Sequence, residues 1–191
     1  MGKVALLVGI SGAGKSTLIK SMPASQSYMI VNLGTLMFKI AEEEGLVSTR
    51  DQLKKLTCEE STRLRNLAIQ EIKNSKDNLL IDTHISIENA ELSSITVGIP
   101  FDLVNEIKPS GLIYIDAPST DILERRVADT TRARENQTAY ALDTQRTIDL
   151  SILSYYMAYL NIPLYIIINK QGRLQEATMN LEKAIEALFG K

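Results

Sequence analysis

Residues 9–17 read Gly-Ile-Ser-Gly-Ala-Gly-Lys-Ser-Thr directly after the apolar run Val4–Val8, and no other feature restricts the fold of this chain as tightly. Its glycines let the backbone curl with N–H groups pointing inward, and the spacing Gly-x-x-x-x-Gly-Lys-Ser sets a lysine and a hydroxyl at the start of a helix. Such a turn cradles phosphate oxygens, and the helix N-terminus adds its dipole. Gly9, Ile10, Ser11, Gly12, Ala13, Gly14, Lys15, Ser16 and Thr17 are therefore the candidate cradle for a nucleoside triphosphate. Lys15 is expected on the β- and γ-phosphates, and the Ser16 hydroxyl on Mg²⁺.

The rest of the chain alternates strand and helix patterns. Tyr28–Val31, Leu79–Ile81, Leu112–Ile115 and Leu164–Ile168 join Val4–Val8 as short runs rich in Val, Ile, Leu and Tyr, the signature of strands buried on both faces. Helical patterns lie at Lys15–Ser21, Leu36–Glu44, Cys58–Lys73, Asp121–Asp129, Asp143–Tyr159 and Leu174–Leu188. This order predicts a three-layer α/β/α fold of the P-loop NTPase kind, with a five-stranded parallel sheet and its ligand at the carboxyl ends of the strands. Nearly fifty residues separate the second strand from Leu79, enough for a helical lobe at about 34–75. Residues 125–138 are polar and Arg-rich, as a short lid would be. Without repeats or low-complexity linkers, residues 1–191 read as one domain carrying these two insertions.

Composition narrows the partners. A net charge of -2 and a pI near 5.6 provide no global attraction to nucleic acid or anionic membrane. One cysteine, Cys58, permits neither an internal disulfide nor a four-Cys metal site, and no apolar run reaches spanning length. A cytoplasmic location is expected.

Several charged residues stand where chemistry is plausible. Asp82 ends an apolar strand, the position from which a carboxylate beside such a loop contacts Mg²⁺ or its waters; helix capping is the plainer alternative. Asp116 ends the next strand, but Pro118-Ser119-Thr120-Asp121 reads as a helix start, so capping accounts for it more simply. Arg125, Arg126, Arg132 and Arg134 cluster within ten residues, with Asp129-Thr130-Thr131 interrupting the helical pattern between the pairs. A lid closing on a transferring phosphoryl group needs such permanently charged, planar donors. His84, the single histidine, has no second histidine to share a metal and is expected to line the site. Signals of a GTPase fail: Asn169-Lys170-Gln171-Gly172 lacks the aspartate that reads guanine, and Ile85-Ser86 after Asp82 lack a switch glycine.

At this point the chain resembles the archaeal-type adenylate kinases, a branch of the nucleoside monophosphate kinases, over nearly its whole length. Beyond the phosphate loop, the resemblance rests on Asn32-Leu33-Gly34-Thr35-Leu36-Met37-Phe38, on Arg50-Asp51-Gln52 with Lys55-Leu56, on Asp82-Thr83-His84 and on the arginine lid. It implies reversible transfer of the γ-phosphoryl group of ATP to AMP, with Mg²⁺ near Ser16 and Asp82. The lid would supply Arg125, Arg126, Arg132 and Arg134, and the donor base would lie near Asn169 and Lys170. The acceptor would sit on the lobe from Thr35 to Gln70, with Arg50 on its phosphate and Thr83 and His84 beside it; Gln52, Gln70 and His84 are the candidate base readers. The family also implies a homo-oligomer, commonly a trimer.

Two positions depart from the wider family. Asp82-Thr83-His84-Ile85-Ser86 stands where bacterial and eukaryotic relatives carry Asp-Gly-Phe-Pro-Arg, and Asp149 stands where an arginine is expected in the helix after the lid, leaving Arg146 to substitute from another face. The lid has no cysteine cluster for zinc. Other readings of the same residues are a kinase for UMP, CMP or another small acceptor, and a nucleotide-dependent assembly factor.

Overall fold

Val4–Val8 (β1) is buried along its whole length, with Val4, Leu6 and Val8 in one apolar cluster and Ala5 and Leu7 in the other. A strand that feeds two cores must lie inside a sheet covered on both faces. The computed structural model, which describes residues 2–23, 27–89, 94–129 and 138–190, with backbone alone for Asp51, Lys54 and Asn89, has this arrangement. β1 is followed by α1 (Lys15–Ser21), β2 (Met29–Asn32), α2 (Leu33–Glu43), a 3-10 turn at Arg50–Lys55, α3 (Cys58–Asn74) and β3 (Leu79–Asp82). Then come β4 (Ser86–Asn89), β5 (Ser94–Val97), α4 (Phe101–Ile107), β6 (Gly111–Asp116), α5 (Ser119–Ala128), α6 (Ala139–Leu160), β7 (Leu164–Ile168) and α7 (Leu174–Phe189).

The main sheet has the order β2-β3-β1-β6-β7, and every pairing in it is parallel. β1 is thus central, and the carboxyl ends of β1, β3 and β6 deliver Gly9, Asp82 and Asp116 to one edge of the sheet. One face is covered by α1 and α7 through Leu18, Leu181 and Ile185; the other is covered by α3, α4 and α6 through Ile69, Val104 and Leu153. A third, smaller cluster joins α2, the 3-10 turn and α3 around Ala41, Val47 and Leu64.

The three layers and five parallel strands match the sequence-based expectation. Between Asp82 and Leu112, where the periodicity marks no element, the structure adds α4 and the antiparallel β4–β5 hairpin, paired from Ser86↔Val97 to Asn89↔Ser94. In the lid stretch, α5 continues to Ala128 and α6 begins at Ala139 behind the cap of Thr138, whose hydroxyl accepts from Ala141 N. Arg132 and Arg134 lie outside the described residues.

Candidate nucleotide site

The loop between β1 and α1 is built so that its carbonyl groups are engaged from outside. Lys15 Nζ donates to Gly9 O at 2.8 Å, Arg126 Nε and Nη2 donate to Ser11 O at 2.9 and 2.5 Å, and Asn169 Nδ2 donates to Ala13 O at 2.9 Å. Arg125 Nη1 adds a longer bond to Ala13 O at 3.3 Å, and its Nη2 donates to Asn169 O at 2.9 Å. Engaging these carbonyls favours a loop conformation that leaves N–H groups for an anion. Two glycines are required by geometry. At Gly9 (φ 148°) a Cβ would stand 2.3 Å from Ile115 O, and at Gly14 (φ 95°) it would stand 2.2 Å from Asn169 Nδ2.

Ile10 and Ala13 are buried among the core residues that anchor this loop, whereas Ser16 and Thr17 are exposed at the start of α1. Lys15 is only 7% exposed. Burial lowers the pKa of its ammonium, and the charges of Asp82 and Asp149 oppose that shift. His84 Nδ1 lies 3.1 Å from Gly9 O and 3.4 Å from Lys15 Nζ, so the histidine shares the lysine's position at the loop mouth.

Asp82 and Thr83, both buried, end β3 beside this loop, with Thr83 N donating to Leu7 O of β1 at 3.1 Å. Asp82 Oδ2 accepts from Asn32 Nδ2 at 2.8 Å. On its other side, Asn32 Oδ1 accepts from Thr35 N at 2.9 Å, Thr35 Oγ1 at 3.0 Å and Arg50 Nη2 at 3.1 Å. Asn32 is thus at once the N-cap of α2 and the link between the strand-end carboxylate and Arg50. Thr35, in the first turn of α2, donates to that cap, and Arg50, at the start of the 3-10 turn, points back to the strand end.

Two of the expected site residues take less central places. Arg146 makes a forked contact with Asp116, donating from Nε to Oδ1 and Oδ2 at 2.9 and 3.0 Å, and also reaches Ala117 O, Ser119 Oγ and Asp143. Asp116 meanwhile accepts from Ala117 N at 2.8 Å, so it combines the turn role read from the sequence with an ion pair. Burial acts against the charge of Arg146, but the bonds to Asp116 and Asp143 outweigh it and raise its pKa. Lys170, unlike its buried neighbour Asn169, is exposed and lines a cavity of about 420 Å³ along β7 with Ile166, Ile168, Arg173, Glu176 and Asn180.

Behind the strand end lies a polar cluster that the sequence reading does not single out. Ser86 Oγ donates to Asp149 Oδ1 at 2.5 Å, and Gln145 Nε2 donates to Ser86 Oγ at 3.2 Å. The Asn32 contact had a sequence signal, since Asn three residues before Thr at a strand-to-helix junction is a capping pattern. Asp149 was marked only as standing where an arginine is expected, which shows neither its burial nor its bond to Ser86.

A family model described as an AAA domain matches residues 8–143. The adenylate kinase of Thermoplasma acidophilum is 32% identical to this chain, over 94% of the chain and 97% of that relative. The chain carries this domain and belongs to the adenylate kinase family. Other members include the adenylate kinases of Methanocaldococcus jannaschii, 31% identical over 96% of this chain and 98% of that relative, and of Methanothermobacter thermautotrophicus, 26% identical over 96% and 100%. The archaeal-type resemblance of Asp82-Thr83-His84 is therefore a family relationship of the whole adenylate kinase chain. Among solved structures, a shikimate kinase from Acinetobacter baumannii in complex with shikimate superposes with a TM-score of 0.57 at 16% identity, covering 100% of this chain and 97% of its own. A gluconokinase from Sinorhizobium meliloti does so with a TM-score of 0.53 at 16% identity, over 98% and 95%. Those two share the adenylate kinase's fold alone.

Proposed function

We propose that this adenylate kinase transfers the γ-phosphoryl group of ATP to the α-phosphate of AMP, reversibly yielding two ADP. The observation that carries the reading is the continuity from phosphate loop to acceptor lobe. Lys15 and His84 meet at Gly9 O, Asp82 lies one strand away, and Asn32 joins Asp82 to Arg50. A donor in the loop and a monophosphate facing Arg50, Thr83 and His84 then meet over the ends of β1 and β3.

The AMP phosphate oxygen is already anionic at neutral pH, so in-line attack requires no general base, and His84 has no proton to shuttle. What the residues must do is align two polyanions and absorb charge on the transferring group. Lys15 supplies an ammonium at the loop mouth. Arg125 and Arg126, bound to the loop itself, hold guanidinium groups at its rim, and Arg132 and Arg134 would add two more when the lid closes. Closure also excludes water, which favours AMP over hydrolysis.

Ser16 and Asp82 are oxygen donors of the kind Mg²⁺ prefers, and among the described residues no cluster of three or more acidic, Cys or His side chains competes as a metal cage. Such a pair suits a cation that arrives with nucleotide phosphates and retains waters. The ion would neutralise charge between the β- and γ-phosphates. We further propose a homotrimer in the cytoplasm, with the exposed Tyr155 and Tyr159 of α6 as contact residues and Cys58 as a free thiol suited to a reducing compartment.

Lys15→Ala tests the mechanism. The variant should retain its melting transition while ADP formation from ATP and AMP falls by roughly 10²-fold or more. An unchanged rate contradicts the reading.

A further inference from the structure

The buried stripe of α6 runs through Leu142, Gln145, Asp149, Leu153 and Tyr156, and two of its five positions are polar. Asp149 is 1% exposed, the most buried carboxylate among the described residues. Among the described residues no side chain forms a salt bridge with it. Its Oδ1 accepts from Ser86 Oγ at 2.5 Å, while Gln145, one turn earlier, donates to the same Ser86 through Nε2, at 3.2 Å to Oγ and 3.5 Å to the backbone oxygen.

Ser86 opens β4, two residues beyond His84 and four beyond Asp82. α6 also holds the chain just past β5, where Tyr156 Oη donates to Ile99 O at 2.9 Å, beside the hairpin's base, which is closed by Gly98 N donating to Ile85 O at 2.7 Å. The helix that follows the lid is thereby tied to the segment that follows the strand end. Fastening a serine does not require a charge: a neutral amide would accept the same hydroxyl. A buried carboxylate without a salt-bridge partner is costly, so its charge needs another use. One buried cation that feels this charge is the ammonium of Lys15, on which Asp149 acts together with Asp82.

We propose that Asp149 is a positioning residue of the transfer site: through Ser86 it fixes the Thr83–His84 segment against the phosphate loop, and its negative charge helps orient the Lys15 ammonium. The inference rests on the kinase reading given above. It requires the ionised carboxylate, because a neutral acid would keep the clamp and lose the field at Lys15.

The groups acting on Asp149 are Lys15 from α1, Tyr114 and Asp116 from β6, and Ser86 from β4; on α6 itself Arg146 faces Asp116. Burial raises its pKa to about 6, the Ser86 bond and the Lys15 charge pull it down, and Asp116 pushes it up. The Tyr114 hydroxyl is buried and has no partner of good hydrogen-bond geometry, yet it lies close enough to influence the same carboxyl.

The test compares kcat and KM for ATP and AMP across pH for the full-length wild type, Asp149→Asn and Ser86→Ala, with thermal unfolding of each. Asp149→Asn keeps an acceptor for Ser86 and removes the charge. It should stay folded, lose on the order of tenfold in kcat at neutral pH, change either KM much less, and lack the acid limb that ionisation of Asp149 gives the wild type. Ser86→Ala keeps the charge but removes a bond that favours it, so its acid limb should move to higher pH. Substrate phosphates titrate in the same region and do so equally for all three proteins, so the difference between profiles is the readout. Should Asp149→Asn fail to fold, the position of the Ser86→Ala limb decides alone. Wild-type activity with profiles that superimpose after scaling overturns this inference and leaves the kinase reading intact. Absence of AMP-dependent ADP formation in the wild type overturns both.

Discussion

Asn32 Nδ2 donates to Asp82 Oδ2 at 2.8 Å, joining the end of β2 to the end of β3. The same side chain caps α2 and receives Arg50, so one amide orients the strand-end carboxylate, starts the first helix of the lobe and holds the candidate acceptor arginine. Asn32→Ala removes all three contacts. Loss of the cap should lower stability by about 1 kcal/mol. Release of Arg50 should raise the KM for AMP several-fold, by about 1 kcal/mol of lost binding, with little change in the KM for ATP. Initial-rate kinetics with each nucleotide varied in turn measures the split; equal effects on both nucleotides contradict the assignment of Arg50 to the acceptor.

The phosphate loop should tolerate no side chain at Gly14. An alanine there adds the cost of a positive φ, on the order of 1 kcal/mol, to a Cβ placed 2.2 Å from Asn169 Nδ2. Asn169 would have to leave Ala13 O, and the loop would lose an outside brace. Gly14→Ala is expected to weaken ATP binding more than tenfold, as read by calorimetry. Adding Asn169→Ala should not restore binding, because it relieves the clash but not the backbone strain.

Arg146 and Asp116 bridge α6 and β6 with side chains mostly out of solvent. Arg146→Ala leaves the carboxylate without its forked partner and should cost about 2–3 kcal/mol, seen as a lower midpoint in urea unfolding. Arg146→Lys should recover only part of it, since one ammonium cannot reproduce the guanidinium fork. A lysine variant as stable as the wild type would contradict this account of the pair.

Asp149 also makes a stability prediction whose sign follows from burial. Its folded-state pKa of about 6 lies above the ordinary 3.8. The folded protein therefore holds this proton more tightly than the unfolded chain, so the group's stabilising contribution is complete below about pH 4 and lost as pH rises through about 6. Asp149→Asn should be more stable than the wild type at pH 7.5, by an amount on the order of 1–3 kcal/mol, and the gain should vanish near pH 4. The Tyr114 hydroxyl, without a partner among the described residues, acts on this same carboxyl. Differential scanning at the two pH values provides the comparison, and a gain independent of pH contradicts it.

Much of the architecture was legible in the sequence because buried parallel strands and amphipathic helices carry their periods openly. Val4–Val8 and Leu164–Ile168 begin and end where the apolar runs do. The Gly9–Thr17 loop was readable for a different reason: few backbones other than a phosphate cradle need that spacing of glycines before Lys-Ser. What the sequence hid was short or polar. Ser86–Asn89 and Ser94–Val97 are four-residue strands, too short to show a period of their own. The turn of Asp116 was readable, but its partner thirty residues away was not, because ion-pair geometry is set by how β6 and α6 pack. Asp149 and Gln145 were hidden most deeply, since polar residues in the buried stripe of a helix contradict the period by which that stripe is found.

The central claim is that the loop and the lobe together pass a phosphoryl group from ATP to AMP. Initial rates with Mg²⁺ and ATP against AMP, CMP, UMP and GMP test it most directly. Formation of ADP in a ratio of two per AMP consumed, with AMP the best acceptor by at least tenfold in kcat/KM, about 1.4 kcal/mol, is the predicted result. ATP hydrolysis that proceeds at the same rate whether or not AMP is present would contradict it.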